Sequence, residues 1–325
     1  MIDKQKNITE ILHPINQLSL YGYKNYFNSL KTLFDKKKLP NSLLISGPKG
    51  TGKSTFIFHF VNYLLSLKEK NNYSYDELRI NSENTSYKLI NNNTHPNVFL
   101  ADINSSGKDI KIEEVRKLIN FINKSTYLND LKIVIIDNAE KLNLNSSNAL
   151  LKAIEEPSSN TFFFIIHDNA YKILDTIKSR CIEFKIFLKL SEKKHIYSKL
   201  LTQYECEKPS NEIIDILQFN TPGSLLKYSL SISEFDIDIS NNNLENILTL
   251  MKIYENKKTN DILEYLIFSI AKFYNYLCLK NFKNINTYIY SYQTIMEQIN
   301  NMKKFKLSEK NVLNCVNEIL INDTQ

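Results

Sequence analysis

The 325-residue sequence has no tryptophan, six glycines, seven prolines and four cysteines. The cysteines, Cys181, Cys206, Cys278 and Cys315, are scattered and form no C-x-x-C pair. That spacing gives no ground for a disulfide framework or a zinc site and leaves four isolated thiols. Long apolar runs are missing too. None reaches the roughly 20 residues that span a bilayer. The opening stretch MIDKQKNITEILHPINQL lacks the uninterrupted apolar segment of a secretory signal, so a cytoplasmic protein with no membrane contact is expected. A strong charge of one sign is also absent. Lys and Arg number 41 against 35 Asp and Glu, a net charge of +6. Lysine supplies most of the positive charge and asparagine is abundant, a bias of composition rather than a binding patch. Such mild basicity is compatible with touching DNA, but proteins with no nucleic-acid role share it.

What is present is the composition of an ordinary globular protein, 42% hydrophobic and 23% charged. The length suggests two or three domains. Residues 26–34 read as helix, and 42–46 (SLLIS) as a buried strand bounded by Pro40 and Gly47. Residues 55–67 are apolar on all sides, as in a helix lying on a sheet. Residues 69–93 are polar, Asn-rich and weakly periodic and read as a surface excursion that is helical in part. Strands are expected at 98–101, 132–136 and 161–167. Helices are expected at 112–122 and at 147–156, the latter stopped by Pro157. Strands alternating with helices imply a parallel sheet. Beyond residue 188 the strand signals stop. Helices are expected at 191–204, 210–219 and 225–230, with a break at Thr221-Pro222-Gly223. A polar linker follows at 233–243, then helix throughout 244–320. The predicted architecture is an α/β domain over 1–188, a small helical domain over 189–232 and a helical C-terminal domain over 233–325.

The most specific motif is Gly47-Pro48-Lys49-Gly50-Thr51-Gly52-Lys53-Ser54, a full match to G-x-x-x-x-G-K-[ST] between a predicted strand and a predicted helix. Small residues let the backbone curl so that N–H groups point at phosphate oxygens. The following helix aims the positive end of its dipole at the same anion. Lys53 adds a full charge for the outer phosphates, Ser54 offers a hydroxyl to Mg²⁺, and Thr55 extends the motif into the helix. ATP with Mg²⁺ is the expected ligand. Residues 132–137 (KIVIID) form an apolar strand ending in a carboxylate. Beside a phosphate loop, Asp137 would hold Mg²⁺ through water; alone, it would be an ordinary turn residue. This strand is expected next to the one feeding the loop. Asn138 stands where such ATPases commonly place a Glu that orients the attacking water, and it is a weak substitute for a base. Glu140 is expected to face elsewhere.

Several ordered segments resemble those of the delta-prime clamp-loader family of the AAA+ superfamily. They are His13-Pro14, Leu20-Tyr21-Gly22, LPNSLL at 39–44, His95-Pro96-Asn97, IEEVR at 112–116, DNAEKLN at 137–143, ALLKAIEEP at 149–157, TIKSRC at 176–181 and TPGSL at 221–225. The resemblance covers about residues 10–230. It implies a P-loop AAA+ parallel sheet with helices on both faces, a helical lid and a C-terminal collar. Arg180, in Ser-Arg-Cys, resembles an arginine finger offered to the ATP of a neighbouring subunit, a task suited to a permanently charged, forked group; otherwise it is a surface Arg before a strand. Asp168 falls at the sensor-1 position, where a carboxylate near a γ-phosphate would repel it. Pro222 and Gly223 border the nucleotide at the second-domain break, and Ser224 replaces a sensor-2 Arg. The helix at 148–156 suits core packing, with a subunit contact as the alternative. The implied partners are the gamma/tau and delta subunits, the sliding clamp through the complex, and primed DNA through its backbone. The implied role is as part of the DNA polymerase III holoenzyme rather than as the polymerase, with ATPase activity of its own weak or absent. The alternative is a gamma/tau-like motor that hydrolyses ATP itself.

Overall fold

A computed structural model of the chain describes residues 12–102, 109–124, 131–157, 160–206, 217, 220–234 and 244–324. It divides into two compact units, the first containing the chain up to Cys206 and Leu217–Lys227, the second the chain from Tyr228 onward. The helix expected at 210–219, apart from Leu217, and most of the linker expected at 233–243 lie outside the described residues.

The first unit is built on a parallel sheet of five described strands: β1 (Ser42–Gly47), β2 (Val98–Ala101), β3 (Lys132–Ile136), β4 (Thr161–Asp168) and β5 (Ile182–Lys185). Their order is β2-β3-β4-β1-β5. β3 is therefore not the neighbour of β1, as expected; β4 lies between them, paired to each. β1, β3 and β4 read as unbroken apolar runs because both sheet faces are covered. Alternate residues go to opposite faces. Leu43, Ile45, Ile133, Ile135, Phe164 and Ile166 join one core. Leu44, Val134, Ile136, Phe163 and Ile165 join the other.

Helices α1 (Lys24–Asp35) and α2 (Lys53–Ser66) cover the first face. Helices α4 (Ile112–Asn123), α5 (Leu144–Glu155) and α6 (Asp175–Lys178) cover the second. α5 begins three residues earlier than expected because Asn143 caps it, accepting from Ser146 N–H at 2.8 Å. β5 is the strand anticipated just after Arg180, although its bounds carried no clear pattern. It is a short edge strand with a partly exposed pattern, paired in parallel with β1.

Residues 69–93 are not the surface excursion expected. Tyr73, Leu78, Ile80 and Ile90 are buried in the core that contains α2. Leu20 and Ile80 donate backbone hydrogen bonds across this segment to Leu78 and Leu18. Its expected helical part is α3 (Thr85–Asn91), capped by Asn84. The excursion is the outer cover of α2, which explains why that helix is apolar all round. The first unit also contains α7 (Leu190–Gln203) and the start of α8 (Pro222–Glu234). The break expected at Thr221-Pro222-Gly223 ends at Thr221: α8 already starts at Pro222, with Pro at the first helical position, where its missing N–H costs nothing.

The second unit contains α9 (Leu244–Lys257), α10 (Asn260–Lys280), α11 (Ile285–Phe305) and α12 (Glu309–Asn322) around their own core. Within α10, residues Ile262–Lys280 are long and apolar enough to cross a membrane by length and composition alone. They nevertheless include Glu264 and Lys272 and bury Leu263, Leu266 and Ile270 in that core, as a core helix does.

Candidate functional site

The loop between β1 and α2 forms the floor of a cavity of about 380 Å³ at the C-terminal ends of the strands. α2 starts directly after Gly52, so its free N–H groups face this space. The buried Lys53 ammonium lies over the loop and donates to the carbonyls of Gly47 at 2.7 Å and Pro48 at 2.8 Å. Burial lowers its pKa, while the charges of Asp168, Asp137 and Glu140 act in the opposite direction. Thr51 Oγ1 closes the loop on Pro48 O at 2.9 Å. Tyr23, stacked on Phe56, braces it by donating to Thr51 O at 2.9 Å.

Asp137 follows β3 and accepts from the Ser54 side chain and from Asn138 N–H. Its pKa is pushed up to about 6, first by burial and then by nearby Asp102; the two hydrogen bonds and Lys53 oppose the rise. Asn138 adopts a left-handed conformation, φ 57°, and its side chain donates to Asp102 Oδ1 at 3.2 Å. That turn folds Ala139–Lys141 back over the strand ends. Glu140 therefore enters the cavity, contrary to the expectation that it would face elsewhere, and its Oε2 accepts from Asp168 N–H at 3.1 Å. Asp168 also caps Ala170 N–H through Oδ1 at 3.1 Å.

The start of α8 closes the loop from the other side. Gly223 N–H donates to Gly50 O at 2.9 Å, and Thr221 Oγ1 donates to Lys49 O at 2.8 Å. Gly50 has φ 78°, and a Cβ there would lie 2.4 Å from Thr221 Oγ1. Opposite it, a Cβ on Gly223 would lie 2.7 Å from Gly50 O. Only glycine fits either side of this contact.

Lys49, Gly50, Thr51, Gly52, Lys53, Ser54, Thr55, Asp137, Asp168, Pro222 and Gly223 all line the cavity. Gly47 and Pro48 act behind it through their carbonyls. Arg180 is elsewhere, just past α6, paired with Glu155 at 2.7 Å. Sequence reading missed Asp102, Glu140 and Lys227, which also line the cavity. Asp102 carried the same signal as Asp137, an acid directly after a strand. Lys227 lies one helical turn beyond Gly223 and so shares its face. Leu20, Tyr21, Ile196, Leu200 and Leu226 supply an apolar part of the cavity lining.

Among the described residues, four carboxylates (Asp102, Asp137, Glu140 and Asp168) thus line the cavity of one buried ammonium. A polyanion alone would be repelled, whereas a polyanion with a divalent cation fits. The Ser54 hydroxyl and Asp137 carboxylate are the hard oxygen donors that Mg²⁺ prefers, with phosphates supplying the rest.

The model of the family described as "DNA polymerase III, delta subunit" matches residues 22–189, just over half of the chain and the whole of the sheet. The chain is 32% identical over 143 residues to DNA polymerase III subunit delta′ of Pseudomonas aeruginosa, covering 44% of this chain and 42% of that protein. It is 28% identical over 261 residues to subunit delta′ of Buchnera aphidicola subsp. Acyrthosiphon pisum, covering 76% of each. The chain belongs to the DNA polymerase III delta-prime family. A further relative is subunit gamma of Buchnera aphidicola subsp. Schizaphis graminum, 26% identical over 82% of this chain and 71% of that one. Among solved structures, a gamma subunit-related protein of Thermotoga maritima shares the fold, with TM-score 0.50, 16% identity, and coverage of 92% of this chain and 99% of that one. The match to the P. aeruginosa protein spans less than half of its length, and that to the first Buchnera protein about three quarters.

Proposed function

We propose that this protein is the delta-prime subunit of a cytoplasmic DNA polymerase III clamp loader. It binds ATP with Mg²⁺ in its own cavity and offers Arg180 to the ATP of a neighbouring gamma or tau subunit. The complex, with a delta subunit, places the sliding clamp on primed DNA, any DNA contact being to the backbone. The observation that carries the reading is the family match over residues 22–189, joined to the separation of Arg180 from the chain's own cavity. Residues 189–232 act as a lid over the nucleotide and 233–325 as the collar that assembles the complex.

Lys53 and the loop N–H groups would hold the phosphates, and Ser54 and Asp137 would hold Mg²⁺, which neutralises phosphate charge when bound. Asp168 and Pro222–Gly223 would border the nucleotide. Asn138 supplies no base, which supports weak hydrolysis. The first test is binding: Lys53→Ala abolishes ATP binding measured by calorimetry, and undiminished affinity would remove the site. The second is reconstitution with the gamma and delta partners. Arg180→Ala lowers DNA- and clamp-stimulated ATPase by at least about 10-fold, since a finger acting in trans contributes about 10³ or more in well-studied cases. Unchanged turnover refutes the finger.

Glu140 in the cavity favours a second reading, a motor that turns over ATP itself. In that case the purified chain hydrolyses ATP, and Glu140→Gln removes the activity without weakening ATP binding.

A further inference from the structure

We propose that Glu155 restrains the Arg180 guanidinium, keeping it drawn against the end of α5 until a phosphate takes its place. This rests on the reading of Arg180 as a finger acting on a neighbouring subunit. Three observations carry it. First, Arg180 Nη2 lies 2.7 Å from Glu155 Oε1, with both side chains partly exposed. Second, Nη1 is engaged by the chain's own groups, donating to Thr176 O at 3.1 Å and lying 3.4 Å from Ser179 Oγ. Third, Nε is buried and has no hydrogen-bond partner among the described residues.

The guanidinium is strongest when two N–H groups in parallel hold one oxyanion. Glu155 takes one prong and leaves Nε unsatisfied, so it is an incomplete partner. A phosphate carries more charge and three acceptor oxygens, and it can satisfy both prongs. The backbone positions are fixed beneath the pair. Ile154, adjacent to Glu155, and Ile177 of α6 are both buried in the same core. The side chain of Arg180, rather than the backbone, is what moves. While Glu155 is engaged its charge also offsets that of the finger, and a carboxylate left beside a phosphate repels it.

The test is Glu155→Gln in the reconstituted clamp loader, with Arg180→Ala and the double variant alongside. An exposed ion pair is weak, so its release raises kcat for ATP about two- to five-fold. KM for ATP stays unchanged, because a finger acts on the transition state. Glu155→Ala gives the same rise. The rise vanishes in the Arg180→Ala background, because Glu155 acts through Arg180. Added salt narrows the gap between wild type and Glu155→Gln. A fall or no change in kcat with Glu155→Gln, while Arg180→Ala lowers it, overturns the restraint and leaves the finger standing. A change that persists without Arg180 overturns it as well. If Arg180→Ala has no effect, the finger fails and the restraint with it.

Discussion

His59 lies in the middle of α2 with no exposure to water. Its Nε2 is 3.0 Å from Gln17 O and its Nδ1 is 3.0 Å from the Tyr73 hydroxyl. A carbonyl only accepts, so Nε2 carries the proton and Tyr73 donates to Nδ1. Burial pushes the pKa down from 6.5 to about 3, against the pull of the Gln17 carbonyl. The neutral ring is therefore the folded form. Below pH 6.5 the unfolded chain binds a proton that the folded chain refuses. The stabilisation is complete above that pH and is lost as pH falls toward 3, at up to about 1.4 kcal/mol per pH unit. Urea unfolding between pH 4 and 7 should show this slope. Histidine replaced by glutamine at position 59 should flatten it. An unchanged slope would mean that other groups set the acid sensitivity. None of this was legible in the sequence, where His59 sits in an apolar run without a visible partner. Its partners, Gln17 and Tyr73, come from segments that only the packing brings together.

The junction between the phosphate loop and α8 is decided by two glycines distant in sequence. Gly223 has ordinary helical geometry, and alanine is normally favoured over glycine inside a helix by about 1 kcal/mol. Gly223→Ala is nevertheless expected to destabilise the first unit and weaken ATP binding, because the new Cβ meets Gly50 O. Calorimetric unfolding and ATP titration check this, and a gain in thermal midpoint would show that α8 does not bear on the loop. Gly50→Ala should be worse, since it adds a left-handed backbone cost of about 1–2 kcal/mol to the clash. The loop itself was legible from spacing. Its dependence on α8 was not, because no local pattern links Gly50 to Gly223. The same holds for residues 69–93. Their polar composition suggests surface, but four apolar side chains at 73, 78, 80 and 90 reach the core. The bounds of β5 were not legible because an edge strand is short and only partly apolar.

At the scale of the molecule, the two units have separate cores, one spread over both faces of the sheet and one within α9–α12. Two calorimetric transitions are expected. Phe164→Ala should lower one midpoint and Leu266→Ala the other, each costing about 2–5 kcal/mol, since both side chains are fully buried. If both variants shift a single common transition, the units do not unfold independently. The phosphate loop, three of the flanking strands and the helical C-terminal half were readable because they rest on local rules: spacing, periodicity and the acid at a strand end. The strand order was not, since inserting β4 between β3 and β1 is a matter of pairing rather than pattern. Nor was the company around Lys53. The sequence by itself determined that a buried ammonium and a strand-terminal acid exist. Tertiary structure alone decided that Asp102 and Glu140 would join them: the pairing of β2 with β3 sets Asp102 beside Asp137, and the left-handed turn at Asn138 carries Glu140 to the cavity.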